Sequence, residues 1–169
     1  MSQETSTAQG VRAVAVPPAA RAISTLSHVD YEDAFVIDLG PAQDWTAEQW
    51  ARAILEDTSP AMRRLLATAW FALRLELGPT PSDHFVLGLE IQSRTADRVL
   101  LGVSSRFGMR GELLFDRQQQ TLFYATFVEQ KSRVARAVWA AMAPVHRWAV
   151  RYLMQQASRR QGAGRTNTT

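Results

Sequence analysis

The sequence predicts an α+β domain in which a curved antiparallel sheet wraps around one long C-terminal helix. Residues 132–160 carry apolar side chains at helical spacing almost without interruption. Between Phe85 and Gln130 four stretches alternate apolar and polar residues at strand period, separated by short turn-forming segments. Two helical stretches, each with its own start signal, lie between a first alternating run and that meander.

In order along the chain, residues 1–27 are rich in Ser, Thr, Ala and Pro and include Pro17-Pro18. They show no sustained periodicity and are expected to form a flexible N-terminal arm. Residues 28–160 are expected to form a single domain, and 161–169 a disordered tail. Tyr31–Leu39 alternates and stops at Gly40-Pro41, a first strand with acids on its exposed side. Thr46 followed by Gln49 is a capping box, and Trp45 is placed to staple onto Trp50. Ser59-Pro60 opens a second helix whose stripe runs through Met62, Leu65, Leu66, Ala69, Trp70, Leu73 and Leu77.

The meander follows as Phe85–Gln92, Arg98–Ser105, Met109–Asp116 and Thr121–Gln130. Its connections are short, so these strands should be sequential antiparallel neighbours. The last is apolar on both parities, which places it centrally or requires its second face to be covered. Which parity lines the interior is left open. In the long helix Val134, Val138, Ala141, Met142, Val145, Ala149, Tyr152, Leu153 and Gln156 are expected to face the core. Arg133, Arg136, Arg147 and Arg151 then form a basic surface opposite. Pro144 lies in the helix interior and is expected to kink or break it. Lys131, Arg133 and Arg136 crowd the N-terminal end, where the helix dipole disfavours cations by about 0.3–1 kcal/mol each, so acidic compensation is expected.

Composition narrows the classes. Of the 169 residues 46% are hydrophobic and 21% charged, an ordinary globular balance for one domain. With no cysteine, disulfide scaffolds, thiol nucleophiles and thiolate metal sites are excluded. The absence of a secretory pattern or a bilayer-length apolar run makes a cytoplasmic location the expectation. The net charge of +3 is unevenly spread. From Lys131 onward there are eight Lys/Arg and no acid, whereas Asp30–Asp57 holds eight acids against Arg52. Mutual neutralisation of the two segments is favoured over an exposed cationic face.

The order strand, two helices, meander, long helix resembles the helix-grip fold of the START-like superfamily, which includes the polyketide cyclases. The run Trp139-Ala-Ala-Met-Ala-Pro-Val-His-Arg-Trp148, after a strand ending Thr126-Phe-Val-Glu-Gln130, is similar to a bacterial branch of it. The resemblance covers about residues 30–160. It departs in strand number, since the superfamily commonly has seven strands and five are counted here. It implies a cavity between sheet and C-terminal helix that binds an apolar or amphipathic small molecule, lipid or polyketide-like, and in a minority of members catalyses cyclisation or dehydration.

The candidate pocket residues are Trp70, Phe85, Leu101, Met109, Leu113, Phe123, Tyr124, Phe127, Trp139, Met142 and His146. A filled core built from the same residues has even weight. His28, His84 and His146 lack metal-site spacing, and neither a metal nor a cofactor is expected. His146 is a candidate acid, base or ligand-orienting group, weighed against a larger expectation that it bonds backbone freed by Pro144. Glu90, Arg106, Arg110 and Glu112 would form the polar end of a site only on the inner parity. No catalytic triad, phosphate loop or paired-carboxylate motif gives positive evidence for an enzyme. Nucleic acid is not an expected partner, and a membrane surface is disfavoured because the sheet needs the helix's apolar face.

Overall fold

The computed structural model describes residues 10–39 and 44–163, and the side chains of all of these but 162–163. Eight strands and four helices follow in order: β1 (Arg12–Val14), α1 (Pro18–Arg21), β2 (Tyr31–Asp38), α2 (Ala47–Leu55), α3 (Pro60–Ala72), β3 (Leu75–Glu76), β4 (Phe85–Val86), β5 (Leu89–Arg94), β6 (Arg98–Ser105), β7 (Met109–Gln118), β8 (Thr121–Gln130) and α4 (Arg133–Ala163). All pair antiparallel in one sheet of order β1-β2-β8-β7-β6-β5-β4, with β3 extending the free edge of β6. This is the α+β helix-grip layout.

Local chemistry sets the boundaries. Thr46 and Gln49 complete the capping box of α2, and the Trp45 and Trp50 rings stand 5.1 Å apart. Ser59 caps α3 through the Met62 amide. Ser132 caps α4, accepting from the Ala135 amide at 3.0 Å while donating to the Phe107 carbonyl at 2.6 Å. α4 runs unbroken across Pro144.

The stretch expected as one strand from Phe85 is two, folded back at Leu87 and Gly88, whose φ values are +49° and +86°. Positive φ at both central residues makes the tight hairpin that matches strand twist. A non-glycine at the first of them hid the turn.

The inner face of the sheet packs Phe35, Ile37, Leu89, Val99, Leu101, Phe115, Leu122 and Tyr124 against α2, α3 and the C-terminal half of α4. The outer face is also covered. Ala34, Leu100, Leu114, Phe123, Ala125 and Phe127 lie under Val14, Val16, Ala20, Ile23, Leu26 and Val29. The expected flexible arm of residues 1–27 is therefore corrected: from Val11 onward it forms β1, α1 and a strap across the sheet, while residues 1–9 lie outside the described residues. This cover accounts for the apolarity of β8 on both parities. Of the expected tail, 161–163 end α4, and 164–169 lie outside the described residues.

Two polar anchors hold the strap. Glu112, 1% exposed, accepts from Ser24 Oγ at 2.6 Å, from the Thr25 amide at 3.1 and 3.2 Å, and from the Thr25 hydroxyl. Glu129 accepts from Ser27 Oγ at 2.7 Å, with Lys131 Nζ 3.4 Å from its other oxygen.

The face of α4 is rotated from the expectation. Ala135, Trp139, Ala143, Ala149, Val150, Leu153, Met154 and Ala157 are buried, whereas Val134, Ala141, Val145 and Trp148 are exposed. The helix has two apolar stripes, and the one rich in alanine meets the sheet because small side chains let the helix axis approach it. Nor does the acidic segment neutralise this helix through its arginines. Glu48 and Glu56 pair with Arg52, Glu48 also with Arg94, Asp38 with Arg12 and Glu32 with Arg21. Arg133 and Arg136 make no ion pair among the described residues, so the compensation expected at the helix start is limited to Lys131 with Glu129.

Candidate functional site

The inner face does not close completely on the helices. A cavity of about 120 Å³ remains between α3, α4 and strands β6, β7 and β8. Its walls are apolar except where Tyr124, Thr126, Trp139 and His146 meet. Two glycines, Gly102 on β6 and Gly111 on β7, contribute wall positions without side chains.

Eight predicted pocket residues line this space: Trp70, Leu101, Met109, Leu113, Tyr124, Trp139, Met142 and His146. Three do not. Phe123 and Phe127 alternate to the outer face under the strap, because strand period sends odd positions of β8 away from α4. Phe85 lies in β4 at the sheet edge, its ring against Gly78. Glu90, Arg110 and Glu112 occupy the outward parity, and Arg106, in the β6–β7 turn, stands 3.8 Å from Glu76, so none of them supplies the polar end of the cavity.

That end is built from β8 and α4, with β2 behind them. Register places Asp33 opposite Thr126 and Phe35 opposite Tyr124. The Thr126 hydroxyl donates to the Tyr124 hydroxyl at 2.8 Å and meets His146 Nε2 at 2.9 Å. Asp33 Oδ2 accepts from the Tyr31 hydroxyl at 2.6 Å and lies 3.6 Å from His146 Nε2. Trp139 is wedged between Tyr31 and His146, with ring centroids 5.2 Å from each. His146 thus bonds a side chain in the cavity, where the larger expectation was backbone freed by Pro144.

Electrostatics fix the protonation of three members. Burial raises the Asp33 carboxyl, but His146, Tyr31 and Thr126 together outweigh it and hold the group below the ordinary carboxylate value. Burial, and then the Asp33 charge, push the Tyr124 phenol well above its usual value, and Tyr31 is raised by burial and by its bond to Asp33. At neutral pH the cluster therefore contains one carboxylate and two neutral phenols.

The cluster is incompletely satisfied. Asp33 Oδ1 and the Trp139 indole N–H are buried with no hydrogen-bond partner among the described residues. Each such orphan costs on the order of 1–3 kcal/mol, which a native site tolerates when a bound group supplies the partner. Asp33 and Thr126 approach the same imidazole nitrogen, so the arrangement is not a relay through the ring, which needs partners on opposite nitrogens. Among the described residues Nδ1 of His146 has no hydrogen-bond partner, and no group of three His, Asp or Glu side chains could hold a metal ion.

Asp33, Tyr31 and Thr126 are the site members that sequence reading missed. A signal was present: Tyr31, Phe35, Ile37 and Leu39 share one strand parity, and Asp33 is the one carboxylate among them. No helix among the described residues is long and apolar enough to cross a membrane. No known family model, curated protein or solved structure matches the chain.

Proposed function

We propose that this domain is a START-like ligand-binding protein whose cavity takes up a small apolar molecule carrying one polar group. The observation that carries the reading is the apolar cavity with all its polar wall groups at one end, one of them the unpartnered indole N–H of Trp139. Size restricts the ligand. An apolar cavity of roughly 150 Å³ takes up benzene, so a volume of about 120 Å³ holds a short acyl group or at most one small ring, and is too small for a long-chain lipid or a fused polycycle. A carbonyl or hydroxyl on that molecule would accept from Trp139 and meet His146.

Native mass spectrometry of the purified chain, followed by solvent extraction, tests this. A discrete, releasable small mass is expected. A bare polypeptide that also shows no thermal shift with monocyclic ketones and phenols would overturn the reading.

A second reading is favoured by the carboxylate of Asp33 beside His146. In it His146 moves a proton on the bound molecule, as in a cyclase or dehydratase, with Asp33 balancing the imidazolium charge. Turnover of an identified ligand that is lost in His146→Ala while binding persists would establish it. Retained turnover in that variant would remove it.

A further inference from the structure

The exposed stripe of α4 follows a strict pattern. Val134, Val138, Ala141, Val145, Trp148 and Tyr152 recur at alternating steps of four and three, so they form one continuous line along the helix. Val134 is 55% exposed, Val145 41% and Trp148 52%, and Trp148 stacks on Tyr152 with ring centroids 5.6 Å apart. Val138 and Tyr152 are half-buried and pack with their inner sides against the core, whereas Val134, Ala141, Val145 and Trp148 remain exposed. The reason for disfavouring a membrane surface, that the apolar face is committed to the core, therefore does not hold for these four.

The line also borders the cavity. Val145 of α4 and Leu65 of α3 both line the cavity and are both exposed, 41% and 39%, so the opening lies between these helices. Neither helix contains an acid. α3 carries Arg63 and Arg64, and α4 carries Arg133, Arg136, Arg147, Arg151, Arg159 and Arg160. Among the described residues none of these eight arginines makes an ion pair, whereas the acids of residues 30–57 that do pair take other cations. On the helix, Arg133 is exposed near the start of the apolar line, whereas Arg147 and Arg151, also exposed, lie toward β2, the Arg151 guanidinium 5.8 Å from the centroid of the Phe35 ring.

We propose that this α3–α4 face docks on an anionic lipid surface, with the apolar line of α4 inserted at the headgroup boundary and the arginines against lipid phosphates. An apolar line with an exposed tryptophan, flanked by cations and free of acids, is the composition of an interfacial helix. Pairing with a second copy along the same line fits less well, because it would bring two rows of arginine together with no acid to compensate. The inference is independent of what fills the cavity.

The test is co-sedimentation of the full chain with vesicles of phosphatidylcholine alone and of an equal mixture with phosphatidylglycerol, at low and high salt. Binding to the anionic vesicles, weakened by salt, is expected. The double variant Arg133→Gln/Arg147→Gln should weaken it roughly thirtyfold, taking about fivefold per cation. Trp148→Ser should weaken it roughly tenfold with an unchanged melting curve. Three results would each overturn the proposal: no uptake on anionic vesicles at low salt, uptake insensitive to both variants, or a dimer in solution that Trp148→Ser dissolves without vesicle binding.

Discussion

Two carboxylates lie on opposite faces of the same sheet, Glu112 fully buried and Asp33 largely so, and their hydrogen-bond partners differ. Glu112, on the outer face, receives hydrogen bonds from Ser24 and from both the amide and the hydroxyl of Thr25. Asp33, on the inner face, has Tyr31 and a more distant His146 on one oxygen and nothing on the other. A satisfied buried carboxylate specifies a fold, here by fastening the strap to the sheet. The unpartnered oxygen of Asp33 is a destabilising feature, and it lies behind the His146 end of the cavity, outside the lining itself.

The comparison breaks most visibly if the strap is removed. A chain starting at His28 would uncover Leu100, Leu114, Phe123 and Phe127, and it should aggregate or fail to melt cooperatively in calorimetry. A cooperative transition like that of the full chain would show that the outer face needs no cover. Next in size, Glu112→Ala should cost about 3 kcal/mol, because the strap's donors lose their shared acceptor. For a chain of this length that lowers the midpoint by roughly 6–12 °C, while ligand uptake in the cavity stays intact.

Asp33→Asn should do the reverse, weakening ligand uptake through the loss of its contact with His146, with a smaller loss of stability. Its pH dependence sharpens the contrast. The folded carboxyl lies below its unfolded value of about 3.9, so the stability it contributes is present above that pH and lost as pH falls through the lowered folded value. Urea unfolding at pH 7, 5 and 3 should show the gap between wild type and Asp33→Asn closing toward pH 3. A gap that widens in acid would contradict the assignment. The smallest effect belongs to Thr126→Val, which keeps the shape and removes the hydroxyl joining His146 to Tyr124. It should cost about 1 kcal/mol in denaturant titration.

The same contrast explains what the sequence made legible. Signals confined to a few neighbouring residues were readable: the Thr46–Gln49 box, the Ser59-Pro60 start, and the turns that join β5 through β8. The strap was not, because β1 is three residues long, α1 is one turn, and its packing depends on residues about a hundred positions away. Asp33 looked like a solvated acid because the strand's neighbouring acids, Glu32 and Asp38, lie on the other parity. The core face of α4 was partly misplaced because hydropathy favours the valine line, whereas close helix–sheet approach selects Ala135, Ala143 and Ala157 beside the expected Ala149 and Leu153. Eight of the eleven predicted pocket residues nevertheless line the cavity, although they make up only a third of its wall.

The central claim is that the His146 end of the cavity recognises a polar group on an otherwise apolar molecule. Calorimetric titration of wild type and His146→Leu with acetophenone and with ethylbenzene tests it most directly. The ketone should bind wild type about tenfold more tightly than the hydrocarbon, the worth of one hydrogen bond in a dry site, and that preference should shrink in His146→Leu to what the Trp139 indole alone supplies. Equal affinities in wild type, or a ketone preference that the substitution leaves unchanged, would contradict it.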